Sequence, residues 1–91
     1  MLTGETRIAV SKEQVSCDLS GEVAILNLKN HAYCGLDPVG ARIWQLIQEP
    51  TTFAALRDAM LTEYDVDKER LEHDLRDLLA RLEQQGLIEV E

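Results

Sequence analysis

The chain has 91 residues, 17 acidic against 9 basic side chains, and a formal net charge of −8. That is one domain, residues 1–91, with enough apolar surface for a single modest core that needs no disulfide or metal staple. So acidic a chain, with one Trp, two Tyr and one Phe, is not expected to bind phosphate backbones or stack bases, and no apolar run is long enough to cross a bilayer.

The N-terminal run Met1–Arg7 has no hydrophobic signal segment, so a cytoplasmic location and no membrane partner are expected. Residues Arg7–Ser11, with Ile8 and Val10 alternating, read as a short strand. Val15, Cys17 and Leu19 then alternate with Ser16 and Asp18, and Ser20-Gly21 supplies a two-residue hairpin turn into Glu22–Leu28. That turn pairs Leu19 with Glu22, Cys17 with Ala24 and Val15 with Leu26. Lys29-Asn30-His31 reads as a three-residue connection with Asn30 in the left-handed position. It would pair Leu28 with Ala32, Leu26 with Cys34 and Ala24 with Leu36.

In this register Val15, Cys17, Leu19, Ala24, Leu26, Leu28, Ala32, Cys34 and Leu36 form one apolar face, the expected buried face of an antiparallel meander. Ser16, Asp18, Val23, Ile25, Asn27, Tyr33 and Gly35 form the other, which the Ile8/Val10 segment would partly cover. Cys17 and Cys34 fall on the two outer strands, about 10 Å apart. A disulfide needs less than about 7 Å, so two free, buried thiols are expected.

Leu36-Asp37-Pro38 marks the change from strand to helix. Asp37 can cap free helical N–H groups, and Pro38 suits the first helical position, which needs no donor. The helix Pro38–Gln48 carries Val39, Ile43, Leu46 and Ile47 as its core stripe, Trp44 at the flank, and Gly40 where a neighbour approaches closely. Glu49-Pro50 ends it. Thr51 or Thr52 caps a second helix with Phe53, Leu56, Met60 and Tyr64 on one face. Asp67 caps a third, striped by Leu71, Leu75, Leu78, Leu79 and Leu82. Gly86 ends it in a left-handed turn that lets Leu87 pack back on Leu82. Arg70, Asp74, Asp77 and Arg81 form a charged ridge, which pairs such as Arg70–Asp74 and Asp77–Arg81 would lace. Leu87–Val90 finishes as a strand or extended tail.

No catalytic constellation is present. The glycines are isolated, neither cysteine has a histidine in its local constellation, and the paired carboxylates lie in loops or the tail. No CxxC or HxxxH spacing offers a metal site, and His31 and His73 read as solvated surface residues. Recognition remains, with two surfaces. The second and third helices could enter a DNA groove as a winged helix led by Lys68 and Arg70. There Glu69, Glu72, Asp74 and Asp77 would repel the phosphates, which makes this the alternative reading. The other surface is the free edge of Ala32–Leu36 beside the third helix, where an extended peptide could add as a further strand.

The run Glu22-Val-Ala-Ile-Leu-Asn-Leu28, followed by Ala32-Tyr-Cys-Gly-Leu-Asp-Pro-Val-Gly-Ala-Arg-Ile-Trp44, resembles the PqqD-like leader-recognition family. Within it, the stand-alone leader-binding proteins of lasso peptide biosynthesis are most alike. Tyr64-Asp-Val66, Leu71, Asp74-Leu75, Leu82 and Gly86-Leu-Ile88 extend the likeness to about Val90. Cys34 stands where an aromatic is usual and Asp37 where Asn is common. The resemblance implies an α+β, winged helix-turn-helix-like fold, an N-terminal three-stranded antiparallel sheet followed by three α-helices. It implies a non-catalytic protein without cofactor or metal, binding the leader of a ribosomally made precursor peptide. The leader would lie as a strand against Ala32, Tyr33, Cys34 and Gly35. On the helix side it would meet Arg70, Leu71, Asp74, Leu75, Asp77 and Leu78. The implied recipients are a transglutaminase-like cysteine leader peptidase and an ATP-dependent macrolactam synthetase.

Overall fold

Ser20 and Gly21 both sit at positive φ (56° and 93°), the backbone that lets a two-residue turn follow the twist of its strands. They join β2 (Gln14–Leu19) to β3 (Glu22–Asn27). The computed structural model describes residues 3–91; Met1 and Leu2, the start of the N-terminal run and of the single-domain span, lie outside it. The β2–β3 register is the expected one, with Leu19 opposite Glu22, Cys17 opposite Ala24 and Val15 opposite Leu26.

The next connection differs. Leu26 faces Tyr33, Ile25 faces Cys34 and Val23 faces Leu36 of β4 (Tyr33–Leu36), one residue away from the expected pairing. The loop has four residues, 28–31, and His31 (φ 62°), not Asn30, takes the left-handed position. The cause is Asn27, whose Oδ1 accepts the N–H groups of Lys29 (2.8 Å) and Asn30 (3.2 Å) and so winds the loop around itself. The Asn30 Oδ1 closes it by accepting from Ala32 N–H at 2.8 Å.

A one-residue shift exchanges the faces of a strand. Val23, Ile25 and Asn27 are therefore buried with Cys34 and Leu36, while Val15, Leu19, Leu26 and Leu28 are exposed. The expected core face of β2 and β3 is their solvent face. Both thiols are free, but Cys17 is exposed and only Cys34 buried.

The N-terminal strand does not lie over the meander. β1 (Arg7–Val10) is the centre of a second antiparallel sheet, flanked by β5 (Thr51–Thr52) and β6 (Ile88–Val90). Arg7 and Glu91 exchange both backbone hydrogen bonds, at 3.0 and 2.9 Å. Together the two three-stranded sheets and three helices make a mixed α+β fold.

Helix α1 (Pro38–Leu46) starts as expected, with the Asp37 carboxylate accepting from Gly40 N–H at 2.8 Å. A side chain at Gly40 would come within 3.2 Å of the Leu36 Cβ, so glycine permits the tight strand-to-helix corner. Ile43, Trp44 and Ile47 are buried, but Val39 is exposed. In α2 (Phe53–Glu63) the Thr52 hydroxyl accepts from Ala55 N–H at 3.2 Å. Arg42 clips α1 to α2 through two hydrogen bonds to Glu63, at 2.7 and 2.8 Å, which hold that carboxyl below its ordinary range. Helix α3 (Lys68–Gln84) buries all five leucines of its stripe; its preceding Asp67 makes no side-chain cap bond. Gly86 (φ 72°) turns the chain so that Leu87 N–H reaches the Leu82 carbonyl at 2.9 Å.

Trp44 is 3% exposed, so Trp44→Ala is expected to lower unfolding stability by about 3–5 kcal/mol in urea melts. Burial also pushes the Cys34 thiol above its ordinary pKa. A disulfide reagent such as DTNB is therefore expected to modify one thiol, Cys17, in the native state and the second only after unfolding.

Candidate functional site

Among the described residues β4 pairs on one side only, since the first sheet runs β2-β3-β4. Asn27 N–H bonds the Ala32 carbonyl at 2.8 Å, and hydrogen-bonded pairs recur at every second residue of an antiparallel ladder. Ala32, Cys34 and Leu36 therefore turn their backbone groups toward β3. Tyr33 and Gly35 turn theirs outward, offering two N–H groups and two carbonyls to a further strand. Gly35 has no side chain to obstruct that approach, and a Cβ added there would have no neighbour closer than 4.0 Å.

Beside this edge lies an open groove of about 970 Å³. It exists because β4 packs on β3 and α1, whereas α3 packs on α2 and β6. Gly35, Leu36 and Asp37 form one wall, and α3 forms the other with Arg70, Leu71, Asp74, Leu75, Asp77 and Leu78. Six expected helix-side residues are thus brought to one surface. Leu75 is fully buried, while Leu71 and Leu78 are each 7% exposed, so these leucines build the floor and the charged residues form the rim. On the strand, the Cys34 side chain points inward and Tyr33 points to the opposite sheet face, 66% exposed. Ala32, half-buried, immediately precedes β4.

The groove also contains residues outside the expected set. Val39, Ile43, Met60, Tyr64 and Val66 line its far end. Val39 and Val66 are exposed hydrophobic residues; Val39 has the spacing of a core stripe and Val66 lies in the connection before α3, so the sequence marked neither as lining a groove. On the Arg81 side, the guanidinium lies near enough to pull the Cys34 pKa down against the larger effect of burial. The expected lacing of the ridge is absent among the described residues. Along α3 the contacts are instead His73 Nε2 with the Asp77 carboxylate at 3.3 Å and the Glu72–Arg76 ion pair at 3.9 Å.

The outer face of the same sheet forms a second apolar surface. Val15, Leu19 and Leu28 are each about half exposed, and with Leu26 and Tyr33 they sit on the side away from the core. Scattered exposed hydrophobics are ordinary; here Val15, Leu26 and Tyr33 are direct cross-strand neighbours. Among the described residues no three His, Cys, Asp or Glu side chains gather into a metal site, and no helix is long and apolar enough to cross a membrane.

Comparison with known proteins bears on this geometry. The chain is similar to the solved structure of TbiB1 in complex with the TbiA(beta) leader peptide, with a TM-score of 0.83 and 41% identity over 89% of this chain and 94% of that one. It shares its fold with lasso peptide synthetase B1 complexed with the leader peptide, at a TM-score of 0.77 and 20% identity over 90% and 96% of the two chains. No curated protein sequence matches it. The family described as Coenzyme PQQ synthesis protein D (PqqD) matches residues 22–88, a span that takes in β3, the β4 edge and the whole α3 wall, and the chain belongs to that family.

Proposed function

We propose that this protein is a recognition element for ribosomally synthesised and post-translationally modified peptides, binding the leader of a lasso-type precursor by strand addition to β4. The observation that carries this reading is the unpaired β4 edge facing an apolar groove walled by α3. The TbiB1 structure, 41% identical to this chain, contains a leader peptide. In this reading β2–β3 is the wing of a winged-helix-like arrangement, and α2–α3 is a helix-turn-helix pair that meets peptide. The DNA-binding alternative has no support: α3 carries Glu69, Glu72, Asp74 and Asp77 beside its few cations, and the similar structures hold peptides.

The expected docking set is Ala32, Tyr33, Cys34 and Gly35 with Arg70, Leu71, Asp74, Leu75, Asp77 and Leu78. In this reading they divide the work. Tyr33 and Gly35 supply backbone hydrogen bonds, each contributing about 0.5–1.5 kcal/mol. The leucines receive apolar side chains, each contributing about 1.5–3 kcal/mol when fully buried. Ordering a flexible leader offsets several kcal/mol of that gain, leaving micromolar to nanomolar affinity, which suits capture followed by release.

The protein itself performs no chemistry in this scheme. It presents the leader, in the cytoplasm, to a transglutaminase-like cysteine leader peptidase and an ATP-dependent macrolactam synthetase. The apolar outer face of β2-β3-β4 is the surface we assign to the peptidase. It adjoins the leader-binding edge at Tyr33, so an enzyme seated there meets the leader as it leaves the groove.

Tyr33→Pro removes one outward N–H without touching the β3 ladder. Anisotropy titration with the labelled TbiA(beta) leader is expected to show at least tenfold weaker binding, with the circular dichroism spectrum unchanged. Undiminished binding would sink the strand-addition reading. Leu26→Asp, on the outer face, is expected to leave leader affinity unchanged and slow leader removal by the peptidase at least tenfold. An unaltered cleavage rate would remove that face from the scheme.

A further inference from the structure

Resting on the leader-binding reading, we infer that α3 selects its guest by charge order: an acid, then a base, then an acid at successive groove-facing positions of the bound strand. The inference comes from which charges on α3 the fold neutralises. Glu72 lies within 4 Å of both Arg57 and Arg76, whereas the neighbour of Asp77 is a histidine, His73, at 3.3 Å, so Asp77 still adds its negative charge to the groove. Asp37, on the opposite wall, is committed to the α1 cap. Arg70, Asp74 and Arg81 line the groove and are exposed, and none has an ion pair or side-chain hydrogen bond among the described residues. Arg70 and Asp74 stand four residues apart, a spacing that commonly pairs, yet here each is left for another partner.

Their order along the groove follows from how α3 is laid against the sheet. The C-terminal end of α3 is pinned to the start of β4, because Asn27, which bonds Ala32, also donates from Nδ2 to the Gln85 carbonyl at 2.7 Å. Arg81 acts electrostatically on Cys34, one strand residue further along. α3 therefore runs antiparallel to β4, with Arg81 toward the Cys34 end of the strand and Arg70 toward the other end of the groove. At 1.5 Å per helical residue, Arg70 and Arg81 are about 16 Å apart along the axis, against about 13 Å between the first and third of three alternate strand residues, a difference of about 3 Å that two long arginine side chains can span. Asp74, with Asp77 one turn on, centres the negative charge between them.

Side chains of an added strand face α3 at every second residue. Three consecutive groove-facing positions thus meet Arg81, the Asp74 region and Arg70 in turn. The complementary guest reads Glu-x-Lys-x-Glu, or its Asp and Arg equivalents. The pattern is the same in both directions, so it holds for a parallel or an antiparallel guest. Like charges brought onto these positions raise the energy of a misplaced strand, so the three residues set register as well as affinity.

The test uses two fluorescein-labelled nonapeptides with the same Val/Thr background, one carrying Glu-x-Lys-x-Glu and the other Lys-x-Glu-x-Lys. The protein's net charge of −8 by itself favours the second, so overall charge and charge order make opposite predictions. At low salt the first peptide is expected to bind at least tenfold more tightly. The preference should shrink in 0.5 M salt and reverse in the triple variant Arg70→Glu, Asp74→Arg, Arg81→Glu, whose fold is checked by circular dichroism. Equal binding, preference for the second peptide, or binding of neither at 1 mM overturns the charge code. Tyr33→Pro separates the two levels. If it abolishes equal binding of both peptides, strand addition stands and the charge order falls; if it changes nothing, both fall.

Discussion

A single buried amide sets the distance between the open strand and α3. Asn27 is 3% exposed and spends both ends of its side chain on backbone: Oδ1 on the Lys29 and Asn30 N–H groups, Nδ2 on the Gln85 carbonyl. Removing such a group from water without partners costs about 1–3 kcal/mol, so the loop after β3 and the end of α3 are held to one mutual arrangement. Gly86 answers to the same contact. Its φ of 72° favours glycine, and a Cβ there would stand 2.8 Å from the Asn27 Nδ2. The other end of the groove is fixed by the Asp37 cap and the close Gly40–Leu36 corner. With both walls placed by the fold, a guest need not rebuild the site to enter it, and that pre-organisation preserves affinity.

The same sheet has three distinct surfaces. Its inner face belongs to the core through Val23, Ile25, Cys34 and Leu36. Its β4 edge carries the outward-facing backbone groups of Tyr33 and Gly35, with no second strand paired to them among the described residues. Its outer face carries Val15, Leu19, Leu26 and Leu28. Long open edges are usually blunted by charge, proline or a covering element. Here β4 has only four residues, and the adjoining helix lays a charged rim beside it. That arrangement keeps the edge available while discouraging casual pairing.

The parts of this structure governed by neighbours in sequence were legible in advance. Ser20-Gly21 dictates its turn, Asp37-Pro38 starts α1, Thr52 starts α2, and the leucines from 71 to 82 bury as a stripe. The orientation of the β2–β3 face was not, because both faces contain apolar residues and alternation alone cannot choose between them. What chooses is Asn27, a polar residue read as outward whose hydrogen bonds to a helix end 58 positions away draw it inside. The second sheet was legible only in pieces. The Ile8/Val10 alternation marks β1 and Leu87–Val90 was open to a strand, but β5 has two residues, and the pairing of all three is long-range, which no local pattern shows. The groove's far end escaped because Val39 follows a core-like helical spacing but faces water.

The outer sheet face also governs how the molecule behaves when many copies share a solution. Its exposed aliphatic side chains favour association, while a net charge of −8 on so small a body pushes copies apart over a range of about 10 Å at 0.1 M ionic strength. Colloidal stability is thus a balance between a sticky plane and an acidic envelope. Screening the envelope with salt tips that balance toward self-association, so this acidic protein disperses best in dilute buffer.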